Sequence, residues 1–257
     1  MTTITAVPQP PTSSARTLEV EVWSDIACPW CYIGRRRYAA ALAGFAHRDA
    51  VGTVWRSYEL SPDTPAGPGV PEIEALARHK GIAEDQVRQM FAQVSEVAAQ
   101  DGLTLDLATT LAVNMFDAHR LVHVARSAGG DDLADRTVEI LYAAHFTHGA
   151  DLGDHDTLVR LAADAGCGAS GLTDDDVRAA LAGGDGGEAV RRDEEQARAL
   201  GVRGVPFFVA DRRLAVSGAQ PVEVFTQLLE RAWEAAAPVD LTPAGAADAC
   251  TDDTCEL

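Results

Sequence analysis

Four consecutive residues, Cys28-Pro29-Trp30-Cys31, carry the clearest chemistry in the chain. Two thiols at C-x-x-C spacing serve either reversible disulfide exchange or half of a thiolate metal site. Exchange requires an ionised sulfur, and a free thiol has a pKa of ~8.5. A helix N-terminus helps, because its unpaired N–H groups and positive dipole end favour a thiolate. If Cys28 caps a helix it is the nucleophile. Cys31, one turn on and on the same face, then closes the disulfide and releases a covalently held partner. Trp30 beside the thiols is a candidate substrate platform or a cover over the helix. A second pair, Cys250 and Cys255, stands in a segment, 238–257, with five acids and no base. It reads as a flexible second redox pair, with an inert loop and a metal site as competing readings. Cys167, within DAGCGASG, reads as a small buried residue.

These thiols need elements to hold them. Residues 18–24, LEVEVWS, alternate apolar and polar as a strand does. Pro29 suits the first turn of a following helix, whose apolar face is Tyr32, Ile33, Tyr38, Ala41 and Leu42. Residues 51–59 read as a second strand, which makes a βαβ unit with the C-x-x-C at the strand-to-helix junction. SPDTPAGPGVP then breaks the pattern, and 72–183 reads as helical throughout. Helical faces fall at Val87/Phe91/Val94/Val97–Ala98, Phe116/Leu121/Val124/Ala125, Leu133/Ile140/Leu141/Ala144 and Leu158/Leu161/Ala162, and Thr173 is placed as an N-cap. After a glycine cluster at 183–187 come a helix over 188–200, two short strands at 206–210 and 213–217 around a turn at Asp211–Arg212, and a helix over 221–236. Pro206 opens the first of these strands. A cis Val205–Pro206 bond there would offer the Val205 backbone to an extended substrate.

The expected fold is therefore α/β: a discontinuous thioredoxin-like domain, 18–61 and 187–237, interrupted by a large all-helical insertion, 62–186. A flexible tail, 1–17, precedes it and an acidic tail, 238–257, follows. The 257 residues are 47% apolar and 23% charged, as in globular chains, with 21 basic against 39 acidic residues and a net charge of −18. So acidic a surface argues against nucleic acid and anionic membranes as partners. No apolar run reaches the ~18 residues of a membrane span, and the N-terminus lacks the basic and apolar regions of a secretory signal. The expected location is the cytoplasm, where paired cysteines point to redox or metal chemistry rather than a structural framework.

WSDIACPWCYIGRRR, NMFDAHRLVHVA, AAHFTHGADL and GVRGVPFFVADRRLAVSGAQP together resemble the DsbA-type thioredoxin-fold proteins, in particular a cytoplasmic FrnE-like subgroup. The resemblance spans residues 18 to about 237. It implies a nucleophilic Cys28, a resolving Cys31, a cis-Pro206 and thiol–disulfide oxidoreductase activity on proteins or small thiols. Pro29, Trp30 and Val205 are the expected substrate contacts. It implies no metal or organic cofactor, with glutathione as a candidate co-substrate. Relatives often carry a buried acid six residues before the first cysteine; here that position is Val22. Asp25 is the alternative for proton transfer, or a loop cap. The Pro-Trp centre, where periplasmic members have Pro-His, lacks a cation beside the thiolate and implies a less oxidising pair. A second architecture-level resemblance is to 2-hydroxychromene-2-carboxylate isomerases and kappa-class glutathione transferases, which typically have Ser at the first position; the intact cysteine pair argues for the first class. A redox-sensing binding module without turnover is the non-enzymatic reading. On the insertion, Asn114, Asp117, His119 and Arg120 read as a helix cap and an intra-helical ion pair or, less simply, as part of the cleft. His145 and His148 read as surface or interface residues.

Overall fold

The computed structural model describes residues 17–236; the two tails, with Cys250 and Cys255, lie outside the described residues. Strand β1 (Leu18–Ser24) is followed by α1 (Pro29–Gly44) and β2 (Val51–Ser57). Then come β3 (Val70–Pro71), α2 (Glu72–Lys80), α3 (Glu84–Gln100), β4 (Leu111–Ala112), α4 (Phe116–Phe146), α5 (His155–Asp164) and α6 (Asp174–Gly183). The chain returns through α7 (Gly187–Ala199), β5 (Phe207–Ala210), β6 (Leu214–Ser217) and α8 (Val222–Ala235). Four strands form one sheet in the order β2-β1-β5-β6, with β1 parallel to β2 and antiparallel to β5. This is the thioredoxin-like arrangement, with a helical block between its two halves.

Strand β1 is central, and both of its faces are covered. Val20 and Val22 join Ile33 and Tyr38 of α1 and Phe208 and Phe225 in the main core. On the opposite face Trp23 packs with Ala197 and Val202. The alternation in LEVEVWS predicts an open polar face, yet Glu21 is buried there. Arg56 and Arg212 both donate to its carboxylate and hold it below its ordinary pKa against the opposing effect of burial. Behind it, the Asp193 carboxylate of α7 accepts from the Ser57 N–H and from Arg56, and pairs with His123 Nε2 at 3.1 Å. Trp23 Nε1 donates to the Asp193 carbonyl. A buried ionic seam thus ties α4, α7 and the sheet.

The helices of the insertion follow the sequence periodicity, with two additions. The two-residue strands β3 and β4 pair antiparallel, too short to leave an alternating pattern. The helices expected at Phe116–Ala125 and Leu133–Ala144 form one element, α4, broken at Gly129 and Gly130, where Gly130 has φ 71°. Thr173 caps α6 in a reciprocal box with Asp176. In the β5–β6 turn Asp211 and Arg212 both take positive φ.

Candidate active site

Cys28 is the N-cap of α1, extended at φ −102° and ψ 109°, with Pro29 in the first turn. Its backbone N–H donates to the Asp25 carbonyl, and its carbonyl accepts the N–H of Cys31 at 2.9 Å. The side chain makes no cap hydrogen bond to the first N–H groups of the helix, an end that in general favours an anion. Cys31, one turn in, is buried, and burial together with the neighbouring Cys28 sulfur pushes its thiol well above the ordinary range. The two sulfurs are asymmetric. Cys31 holds its proton beside the Cys28 sulfur. Both cysteines are free thiols, as is Cys167, which is buried as expected.

The Val205–Pro206 bond is cis. The Val205 carbonyl lies 3.9 Å from Cys28 Sγ. Pro206 is buried and close to α1: a Cβ on Gly34 would meet its Cγ at 2.9 Å. Pro29 is half-buried and Trp30 is exposed at 41%, at the rim of the cysteine pair. Leu60, also exposed, leads the loop on the other side.

Asp25 is the hub beneath the motif. Its Oδ1 accepts the Ala27 N–H at 3.0 Å and pairs with His119 Nε2 at 3.2 Å; its Oδ2 accepts the Leu60 N–H at 2.7 Å. Its carbonyl accepts from Cys28 N–H and from the Tyr142 hydroxyl. Asp25 and His119 are both 2% exposed. Asp25 is thus a cap of the active-site loop and a buried charge that acts electrostatically on Cys31. Val22, at the position where relatives often carry an acid, is buried in the core.

The polar set on α4 divides. Asn114 Oδ1 accepts the Phe116 N–H at the helix start, and Asp117 pairs with Arg120, which also donates to the carbonyls of Ala180, Leu181 and Asp185. These are the cap and the ion pair. His119 alone of the four reaches the Asp25 side chain. Sequence spacing could not find it, because its partner is a remote loop residue. His145 corrects the surface expectation: it is buried, and burial lowers its pKa to about 4. Position near the end of α4 turns it toward the core beside Phe146, whereas His148 is exposed. Among the described residues no group of three or more His, Cys, Asp and Glu is arranged to hold a metal ion.

Residues 19–230 match the family described as DSBA-like thioredoxin domain. The chain belongs to this family. A probable DsbA oxidoreductase from Streptomyces coelicolor is similar at 40% identity, over 87% of this chain and 93% of that one, with a TM-score of 0.78. By family and by that likeness this is an enzyme of the disulfide oxidoreductase class. Two remoter structures share the fold. The cytosolic disulfide reductase DsbM from Pseudomonas aeruginosa is 17% identical, over 84% of this chain and 99% of that one, at TM-score 0.57. A 2-hydroxychromene-2-carboxylate isomerase is 13% identical, over 83% of this chain and 95% of that one, at TM-score 0.62. No curated protein matches the chain. No helix among the described residues is long and apolar enough to cross a membrane.

Proposed function

We propose that this chain is a cytoplasmic thiol–disulfide oxidoreductase of the reductase or isomerase type, with Cys28 and Cys31 as its redox pair. The observation that carries the reading is the asymmetry of the two sulfurs: both are buried, but Cys28 stands at the helix N-cap, whereas Cys31 lies deeper, one turn in, and is held protonated. The Cys28 thiolate attacks a substrate disulfide and forms a mixed disulfide, and one substrate sulfur leaves as thiolate. Cys31 gives up its proton, attacks Cys28 Sγ and expels the second substrate thiolate, leaving a Cys28–Cys31 disulfide. Two thiols of the glutathione pool, or a protein dithiol, then reduce that disulfide. We assign Asp25, partnered by His119, to take the Cys31 proton. Val205 and Pro206 align the substrate backbone beside Cys28, and Pro29 and Trp30 form the apolar rim that meets it.

Glutathione as co-substrate is supported by a glutathione complex among the fold relatives, that of DsbM. The isomerase alternative lacks a comparable observation, because that chemistry gives no role to a second, buried thiol. The test is steady-state reduction of insulin and of 2-hydroxyethyl disulfide with glutathione as reductant. Turnover is expected in the wild type and lost in Cys28→Ser; equal turnover in the variant overturns the reading. A Cys28–Cys31 potential nearer about −270 mV than about −120 mV is expected for a reductase. Cys250 and Cys255 enter the proposal from sequence as a second pair that exchanges disulfides with the first, more readily as an oxidised acceptor attacked by Cys28 than as the attacker, because the surrounding acids raise the pKa of its thiols. Removing residues 248–257 should then alter multiple-turnover recycling and spare single-turnover reduction of small disulfides. Identical behaviour in both assays would remove that role.

A further inference from the structure

A cavity of about 420 Å3 opens against Ala27, the residue before Cys28. The loop 60–64, the first turns of α2 and residues 111–115 line it. Its walls are fixed to the active site. The Leu60 N–H donates to Asp25 Oδ2, and Asn114 Nδ2 donates to the Thr64 carbonyl, each at 2.7 Å. Leu60, Leu76, Val113 and Met115 supply the apolar part of a mixed lining that contains no Lys or Arg.

Glu72 is set in this wall. Its backbone N–H is bonded to the Thr110 carbonyl, and its carboxyl has no ion-pair or hydrogen-bond partner among the described residues. A carboxyl in the first turn of a helix is ordinarily favoured as the anion by the dipole. Here the partial burial of the side chain outweighs that and lifts the pKa to about 7. The folded-state value lies above the ordinary 4.5, so ionised Glu72 weakens the fold increasingly as pH rises from 4.5 toward 7. A residue that costs stability and lines a cavity reaching the residue before Cys28 is placed for a ligand rather than for the fold. An entering cation would displace the carboxyl proton and find an unpartnered carboxylate in a half-buried wall.

We propose that this cavity is a substrate subsite in which Glu72 receives an ammonium group carried by the disulfide substrate. The inference rests on the disulfide-exchange reading and names its substrate class: amine-bearing small disulfides, or cysteine peptides with a lysine near the sulfur. With cystamine, Cys28 thiolate forms a mixed disulfide and one cysteamine leaves as thiolate and takes up a proton. Cys31 releases the second cysteamine, and two glutathione molecules reduce the resulting Cys28–Cys31 disulfide, becoming one glutathione disulfide.

The test compares cystamine with 2-hydroxyethyl disulfide, which has the same skeleton with hydroxyl in place of ammonium. The ratio of their kcat/KM values cancels the ionisation of Cys28. In the wild type the ratio should rise about tenfold from pH 6 to pH 8, following the ionised share of a group titrating near 7. In Glu72→Gln it should be low and flat. Asp63 and His79 face the same cavity, so Asp63→Asn and His79→Gln should keep the rise. Peptide disulfides bearing lysine or acetyl-lysine two residues from cysteine separate the two sources of ammonium. A flat wild-type ratio, or a rise that persists in Glu72→Gln, overturns the proposal. Glu72→Gln should also melt higher than wild type at pH 8; a lower melting temperature would make Glu72 structural and overturn it equally. Absence of turnover on both disulfides would instead refute the exchange reading beneath it.

Discussion

Two glycines of α1 offer a matched test of how the Pro206 loop is seated on the active-site helix. A Cβ at Gly34 would lie 2.9 Å from Pro206 Cγ and 3.5 Å from Ala219, whereas one at Gly44 meets nothing within 4 Å. Carbon atoms are at their optimum near ~3.5–4.0 Å, so the contact at Gly34 is short by at least about half an ångström. Pro206 Cγ belongs to a ring and cannot swing aside as the tip of a long side chain does. Helix propensity favours alanine by about 0.5–1 kcal/mol at Gly34, inside the helix, and by less at Gly44, its last residue. Overpacking of a tight core contact costs about 1–3 kcal/mol. The clash should win at Gly34, leaving a net loss of about 1–2 kcal/mol, which in a chain of this size lowers Tm by roughly 3–6 °C. Gly44→Ala should be neutral or raise Tm by a degree or two. Because Val205, whose carbonyl faces Cys28 Sγ, precedes Pro206, Gly34→Ala should also slow disulfide reduction. Calorimetry on the two variants decides it: a Gly34→Ala protein as stable and active as Gly44→Ala would refute this packing.

Acid stability should carry the mark of His145. Its pKa of about 4 lies below the ordinary 6.5; the unfolded chain therefore binds the extra proton first, and stability is lost as pH falls from 6.5 toward 4. The loss from this group is on the order of 3 kcal/mol, and denaturant midpoints of His145→Gln should fall less steeply over that window; parallel curves would contradict the buried, neutral assignment. At Asp25, removing the partner with His119→Ala should destabilise the fold by about 1–3 kcal/mol. It should also shift the pH profile of mixed-disulfide release, a change that a structural role would not produce. Rescue of stability but not of that profile by His119→Gln would support proton transfer, and rescue of both would leave Asp25 as a cap.

Local signals carried most of the fold. The βαβ start and the cap at Thr173 each depend on neighbours in sequence, and each is where its pattern points; the cis Val205–Pro206 bond follows from the family resemblance rather than from its local residues. Contacts between distant segments left no such trace. Glu21 looks like an outward residue of an alternating strand, and its burial follows from Arg56 of β2 and Arg212 of the β5–β6 turn, brought to it from distant segments. His119 reads as one polar residue among four on a helix start, yet it meets Asp25 because the insertion folds back over the active-site loop. His145 carries no mark distinguishing a core histidine from a surface one. Glu72 looks like an ordinary first-turn acid, and its cavity exists only once loop 60–64 and residues 111–115 come together.

The central claim is the division of labour between the two cysteines, and trapping tests it most directly. Cys31→Ser and Cys28→Ser would each be incubated with a cysteine-peptide disulfide, quenched with acid and mapped by mass spectrometry. The account predicts a stable peptide adduct on Cys28 in Cys31→Ser and none on Cys31 in Cys28→Ser. An adduct on Cys31 forming at a comparable rate would contradict it.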